Sequence, residues 1–157
     1  MSKIHWLGTG LSAIPGLIML IENDHSVIVY NRTVKKVSDA LLGIKGNYQI
    51  VEFSLEAIKQ NAIAGDVIVS MLPGNFHVPV AELSLSLGAH FVSSSYISDE
   101  MKSLHEESIK KNLCLVNEVG LDPGIDHSMS HALVEEYKNS NVFSAENNHS
   151  FLSYCGG

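Results

Sequence analysis

The chain has 157 residues, 45% of them hydrophobic and 17% charged, so it can bury a core and is too apolar to be disordered. A formal net charge of −7 excludes a nucleic-acid binder that works through surplus Lys and Arg, but leaves room for a small anion held by local positive groups. Two cysteines, Cys114 and Cys155, make no disulfide framework, and the apolar run around Cys114 predicts a buried, inert thiol. The longest apolar run near the start, Ile14 to Ile21, is cut off by Glu22, Asn23 and Asp24, too early for a membrane span. The basic start of a signal peptide is also missing, so a cytoplasmic protein is expected.

Short apolar runs alternate with helical patterns along most of the chain. Ile4 to Leu7, Val27 to Tyr30, Gln49 to Val51, Val67 to Ser70, His90 to Val92 and Leu113 to Val116 suit strands buried on both faces. Leu11 to Ile21 predicts an apolar helix. Thr33 to Leu42 predicts a second, with Thr33 as N-cap and Val34, Val37 and Leu41 along one face. Ser98 to Lys111 opens on an N-cap serine followed by Asp99 and Glu100, which suit the positive end of a helix. Asp122 to Tyr137 predicts a further helix, with Asp122 as N-cap, Pro123 at its first position, and Ile125, Met129, Ala132 and Leu133 as one stripe. Parallel neighbours each need a crossover, so this series implies an α/β fold with a doubly wound parallel sheet. Residues 1–138 are expected to form that domain. Residues 139–157 are expected to be a crossover segment, a polar linker and then a strand from Phe151 to Tyr154 that starts a second domain.

The turn after the first strand is Gly8-Thr9-Gly10-Leu11-Ser12-Ala13, which matches the dinucleotide fingerprint with alanine in its third small position. Gly8 serves the tight turn, Gly10 lets backbone approach a pyrophosphate, and Ala13 lets the helix pack closely on the strand. The N–H groups at the helix start then face the anion. The second strand ends in Tyr30-Asn31-Arg32-Thr33, where folds of this kind that take NAD carry an acid. Asn31 removes the charge that would repel a 2′-phosphate, while Arg32 and Thr33 can donate to it, which points to NADP(H).

Polar stretches also follow the later strands. Ser70-Met71-Leu72-Pro73-Gly74-Asn75-Phe76-His77 follows the fourth, Ser93 to Ser98 the fifth, and Asn117-Glu118-Val119-Gly120-Leu121-Asp122-Pro123-Gly124-Ile125-Asp126-His127 the sixth. All lie at carboxyl ends of strands, where open α/β sheets bind ligands. His77 is expected on a helix surface near the cleft as a candidate site residue, and Asp126 and Glu118 as structural supports. His127 and His131 stand one helical turn apart without a third ligand at suitable spacing, so no metal is expected.

These stretches, taken in order with Pro15 after the glycine loop and the final Ser153-Tyr154-Cys155-Gly156-Gly157, resemble the saccharopine dehydrogenase family of the NADP-dependent, L-glutamate-forming kind. The likeness extends over essentially the whole chain, and the run from Gly120 to His127 is its most specific part. It implies a Rossmann-type NADP-binding domain whose second, substrate domain is absent from this sequence. It also implies an enzyme that interconverts saccharopine with glutamate and 2-aminoadipate 6-semialdehyde in lysine metabolism, in which hydride reduces the carbon of an imine. Carried over by position, Gly8, Gly10, Leu11, Ser12, Ala13, Asn31, Arg32, Thr33, Ser70, Leu72, Pro73, Leu121, Asp122 and Pro123 would hold the cofactor. Ser95, Tyr96 and Asp122 would contact saccharopine, and Asp122, Tyr96 and Cys155 are candidates for the chemistry. The family also implies a homodimer of the longer protein. Saccharopine has three carboxylates while the motif loops offer only Arg32, so this stretch is expected to be a poor catalyst by itself. A related imine reductase and a non-catalytic NADP-binding module are the alternative readings.

Overall fold

A computed structural model describes residues 2–154. Six strands form one sheet: β1 (Ile4–Leu7), β2 (Val27–Asn31), β3 (Tyr48–Glu52), β4 (Val67–Ser70), β5 (His90–Ser93) and β6 (Leu115–Val116). They run parallel in the order β3-β2-β1-β4-β5-β6, so the chain winds outward from β1 one way and then, from β4, the other. The reversal of order between β1 and β4 opens a crevice at their carboxyl ends, the place where such sheets take ligands.

The helices are α1 (Ile14–Glu22), α2 (Val34–Ala40), α3 (Leu55–Asn61), α4 (His77–Leu87), α5 (Asp99–Ser103), α6 (His105–Lys110) and α7 (Ile125–Lys138), with a 3-10 turn at Gly74–Phe76 before α4. Successive strand residues point to opposite faces, and this divides the core in two. Trp6, Val27 and Val29 pack with Leu17 and Ile21 of α1 and Val37 of α2. Leu7, Ile28, Tyr30 and Ile68 face the other way, against Ile58 of α3 and Val80, Ala81 and Leu85 of α4. Each such fully buried side chain contributes roughly 1.5–3 kcal/mol by leaving water.

Within this apolar interior His5 lies 2.9 Å from Asp66 through Nε2 and 3.0 Å from the Tyr30 hydroxyl through Nδ1. The carboxylate can only accept, so Nε2 carries the proton and Nδ1 accepts the Tyr30 hydroxyl. Backbone N–H groups of Lys3 and Ile63 donate to the two Asp66 oxygens, at 2.8 and 3.0 Å. Every polar atom of this buried group therefore has a partner, which the low dielectric requires.

Several expected elements differ. The segment expected as one helix from Ser98 to Lys111 divides at Leu104 into α5 and α6. Helix α3 arises where no helix is expected, and α4 carries the helix expected at His77 on to Leu87. Cys114 is exposed rather than buried, because β6 is a two-residue edge strand with β5 on only one side. Asp122 does not cap α7. The chain first turns between Gly120 and Gly124, with Gly120 N–H donating to Pro123 O at 2.9 Å and Ile125 N–H to Gly120 O at 3.0 Å. Helix α7 consequently begins at Ile125, beyond Pro123, whose peptide bond to Asp122 is cis. Asp126 takes over at the helix start, its Oδ1 accepting the N–H of Gly124 at 2.9 Å. The stripe on α7 is helical as expected, yet Ile125, Met129 and Leu133 are all exposed. Phe151 to Tyr154 forms no strand, and Cys155 lies outside the described residues.

Candidate active site

The first strand delivers the chain into a loop packed against the exit of β4. Gly8 has φ +91, and a Cβ there would stand 2.7 Å from the carbonyl oxygen of Met71, so only glycine fits both the conformation and the space. Gly10 is the opposite case: nothing lies within 4 Å of the position its Cβ would take. That open face, reached by bare backbone, suits close approach of an anionic group. The Thr9 hydroxyl is buried in the same loop with no hydrogen-bond partner among the described residues. No side chain caps α1, and no acid stands in its first turn, which leaves its positive pole free for a phosphate.

At the exit of β2, Asn31 donates its side-chain N–H to the carbonyl of Thr33 at 3.1 Å and so shapes the turn. Arg32 is exposed and makes no ion pair among the described residues. Thr33 occupies the N-cap position of α2, but its side chain makes no capping bond. A cavity of about 440 Å³ gathers Gly8, Gly10, Asn31, Arg32, Leu72 and Pro73 and adds three residues that the sequence did not single out, Lys36, Phe53 and Phe76. Lys36 had a signal, since it follows Arg32 by four residues at the start of a helix. Phe76 lies in the stretch after the fourth strand, whereas Phe53 had no signal; the two rings meet edge to face, centroids 5.7 Å apart. Leu11 and Ser12 are exposed in the turn before α1, and Ala13 is buried beneath it.

Across the loop between β4 and α4 lies a second cavity of about 420 Å³, lined by Ser95, Tyr96, Asp122, Pro123 and His77 among others. The Tyr96 hydroxyl donates to Oδ1 of Asp122 at 2.5 Å, joining the loops after β5 and β6. His77 is not on the helix surface: it is buried at the first turn of α4, and that burial lowers its pKa below the ordinary histidine value. Its Nδ1 stands 2.9 Å from Ser70 Oγ, and its Nε2 stands 2.7 Å from Ser95 Oγ. The Ser70 side chain thus points to His77 and is fully buried, so any contact from Ser70 to a cofactor falls to its backbone. Leu121 is exposed and lines neither cavity. His127 and His131 are exposed on α7, and His127 Nδ1 lies 3.1 Å from Asp126.

Residues 4–116 match the family model described as the saccharopine dehydrogenase NADP binding domain. The L-glutamate-forming, NADP(+) saccharopine dehydrogenase of Schizosaccharomyces pombe is 32% identical over 160 aligned residues, which cover 100% of this chain and 35% of that protein. The enzyme of the same name from Saccharomyces cerevisiae is 34% identical, over 96% of this chain and 33% of its own length. The apo structure of histidine-tagged saccharopine dehydrogenase (L-Glu forming) from Saccharomyces cerevisiae superposes with a TM-score of 0.71 at 27% identity, covering 87% of this chain and 31% of that one. The chain thus spans about a third of the length of these relatives. Among the described residues no helix is long and apolar enough to cross a membrane. An open glycine loop on this sheet, matched over residues 4–116, makes the chain a member of the saccharopine dehydrogenase family of oxidoreductases, carrying that family's domain for NADP(H).

Proposed function

We propose that the chain is the cofactor-binding part of an enzyme that interconverts saccharopine with L-glutamate and 2-aminoadipate 6-semialdehyde in lysine metabolism. The observation that carries this reading is the pair of cavities at one sheet edge. One holds the glycine loop and two cations, the other Ser95, Tyr96 and Asp122; Leu72 and Pro73 line the first and Gly74 the second. A cofactor lying along the first would end beside a substrate in the second.

NADPH supplies a hydride, which reduces the carbon of the imine that glutamate and the aldehyde form with loss of water. The chain's own residues do the holding. Gly8, Gly10, Leu11, Ser12 and Ala13 would receive the pyrophosphate on open backbone and the pole of α1. Asn31, Arg32 and Thr33 would receive the 2′-phosphate, with Lys36 as a second cation. Leu72 and Pro73, with the backbone of Ser70, would line the path toward the nicotinamide, and Leu121, Asp122 and Pro123 would close it. Ser95 and Tyr96 would bind saccharopine, and Asp122, acidic and paired with Tyr96, suits its amine. The remaining carboxylates need cations from the part of the relatives that this chain does not span.

The first test is a titration with NADPH and NADH beside Arg32→Ala. NADPH-selective binding that weakens in the variant is expected, and equal binding of both nucleotides would remove the phosphate-pocket assignment. For the reaction, the chain is joined to the C-terminal part of its Saccharomyces cerevisiae relative and assayed for saccharopine-dependent reduction of NADP. Turnover of a different amino-acid-derived imine with none of saccharopine would replace the substrate.

A further inference from the structure

Three serine hydroxyls from the ends of β4 and β5 converge on one buried imidazole. Ser70 Oγ lies 2.9 Å and Ser93 Oγ 3.4 Å from His77 Nδ1, while Ser95 Oγ lies 2.7 Å from Nε2. Ser70 and Ser93 are fully buried, and Ser93 Oγ already accepts the backbone N–H of Ser95 at 3.1 Å. Each of the two hydroxyls still has a proton to place. Among the described residues the one acceptor within reach of either is Nδ1 of His77.

A neutral imidazole has one N–H and one lone pair, and which nitrogen carries the proton follows from its partners. With the proton on Nδ1, Ser70 could accept it, but the Ser70 and Ser93 protons would both face a dry interior without an acceptor, and unmet buried donors are costly. With the proton on Nε2, Nδ1 receives Ser70, with Ser93 as its longer second donor, and Nε2–H donates to Ser95. The Ser95 hydroxyl then cannot give its own proton back to the ring. Ser95 is the half-buried, pocket-facing end of the chain of bonds, so that proton is directed into the cavity.

We propose that His77 is a positioning residue: its Nε2–H tautomer, imposed by Ser70 and Ser93, makes the Ser95 hydroxyl an obligate donor to a carboxylate oxygen of the substrate. The assignment to a substrate rests on the function proposed above; the tautomer does not. The cavity is thereby two-sided. Ser95 offers a proton to an anion, and Asp122, on the same cavity, offers a carboxylate to an amine.

The tautomer is measured on the chain itself, labelled with 15N, from two-bond 1H–15N correlations of the histidine rings. A protonated Nε2 and bare Nδ1 on His77 are expected; the reverse tautomer, or a doubly protonated ring at pH 7, overturns the proposal. Binding is then followed at the Ser95 and Tyr96 amides with glutarate, a dicarboxylate without an amine, and with 1,5-diaminopentane, its diamine counterpart. Glutarate is expected to shift both amides with an affinity that falls about tenfold in Ser95→Ala and several-fold in His77→Phe, while His77→Gln, which keeps an N–H, loses less. Shifts from the diamine alone, or from neither probe, overturn the carboxylate assignment. Wild-type glutarate affinity in His77→Phe, with the loss confined to Ser95→Ala, overturns the role of His77. Failure of NADPH to bind would count against the proposed function and leave the tautomer result standing.

Discussion

The carboxylate of Glu118 accepts the backbone N–H of Ile97 at 3.1 Å, which pins the loop after β5 to the loop after β6. The backbone N–H of Glu118 donates to Ser95 O, also at 3.1 Å, so Glu118 grips both sides of Tyr96. It does this from φ 60, a conformation that non-glycine residues rarely adopt and that the two bonds hold in place. Glu118→Ala is expected to cost about 1 kcal/mol and to speed hydrogen exchange at the Ile97 amide, with Glu118→Gln intermediate because it keeps an acceptor. Unchanged exchange at Ile97 in Glu118→Ala would show that the carboxylate is not what holds the loop.

Two buried histidines make stability depend on pH. Desolvation lowers the pKa of His5 below its ordinary value near 6.5, although the hydrogen bond and charge of Asp66 pull the other way; burial alone lowers His77. Below about 6.5 the unfolded chain takes up protons that the folded chain refuses, so stability falls as pH drops from 7 toward the lowered folded values. Asp66 adds nothing in that window. Burial would raise its pKa, but the N–H groups of Lys3, His5 and Ile63 outweigh this, and its contribution is lost only as pH falls through a value below the ordinary carboxylate. Urea midpoints are expected to be lower at pH 5.5 than at 7.5, and equal midpoints would mean that neither ring is held neutral. Asp66→Ala strands three donors and is expected to cost about 3 kcal/mol at pH 7.5.

Much of this was legible because burial on both faces leaves a plain trace. Ile4–Leu7 and Val67–Ser70 appear in the structure with the bounds their apolar runs suggest, since each is an inner strand. Edge elements carry less. Helix α3 buries one residue, Ile58, so no stripe announced it, and α4 buries Val80, Ala81, Ser84 and Leu85 among other apolar residues, which blurs its period. The stripe on α7 shows the limit of amphipathicity as a signal: it marks a helix with an apolar face, not which chain segment covers that face. At the site, Gly8 and Gly10, singled out by their spacing, and the Asn31-Arg32 pair line one and the same cavity. The burial of His77 was hidden, because it depends on Ser70 and Ser95, 7 and 18 residues away, meeting across two strands.

Lys36 tests how the cavity reads a phosphate. It lines the same cavity as Arg32, from the first turn of α2. A charge-assisted bond to phosphate is worth about 1.5–3 kcal/mol, so Arg32→Ala is expected to weaken NADPH roughly tenfold or more. Lys36→Ala is expected to weaken it less, because an exposed ammonium is a point charge without the guanidinium fork. NADH affinity should be unmoved by either. A Lys36→Ala variant that binds both nucleotides as the parent does would assign the phosphate to Arg32 alone.

The two loop glycines separate folding from binding. At Gly8 an added methyl meets the Met71 carbonyl at 2.7 Å and the backbone sits at φ +91, so Gly8→Ala is expected to destabilise by about 2–3 kcal/mol and to lose NADPH with the fold. At Gly10 the methyl meets nothing within 4 Å, so Gly10→Ala is expected to keep its urea midpoint within about 0.5 kcal/mol of the parent. Yet the space it fills is the one a pyrophosphate would enter, and NADPH affinity should fall steeply in a protein that is otherwise intact. Measured together, the urea midpoint and the NADPH titration distinguish the cases. A Gly10→Ala chain that binds NADPH normally would move the pyrophosphate off this face of the loop, and one that unfolds would mean that the open space at Gly10 is not open in solution.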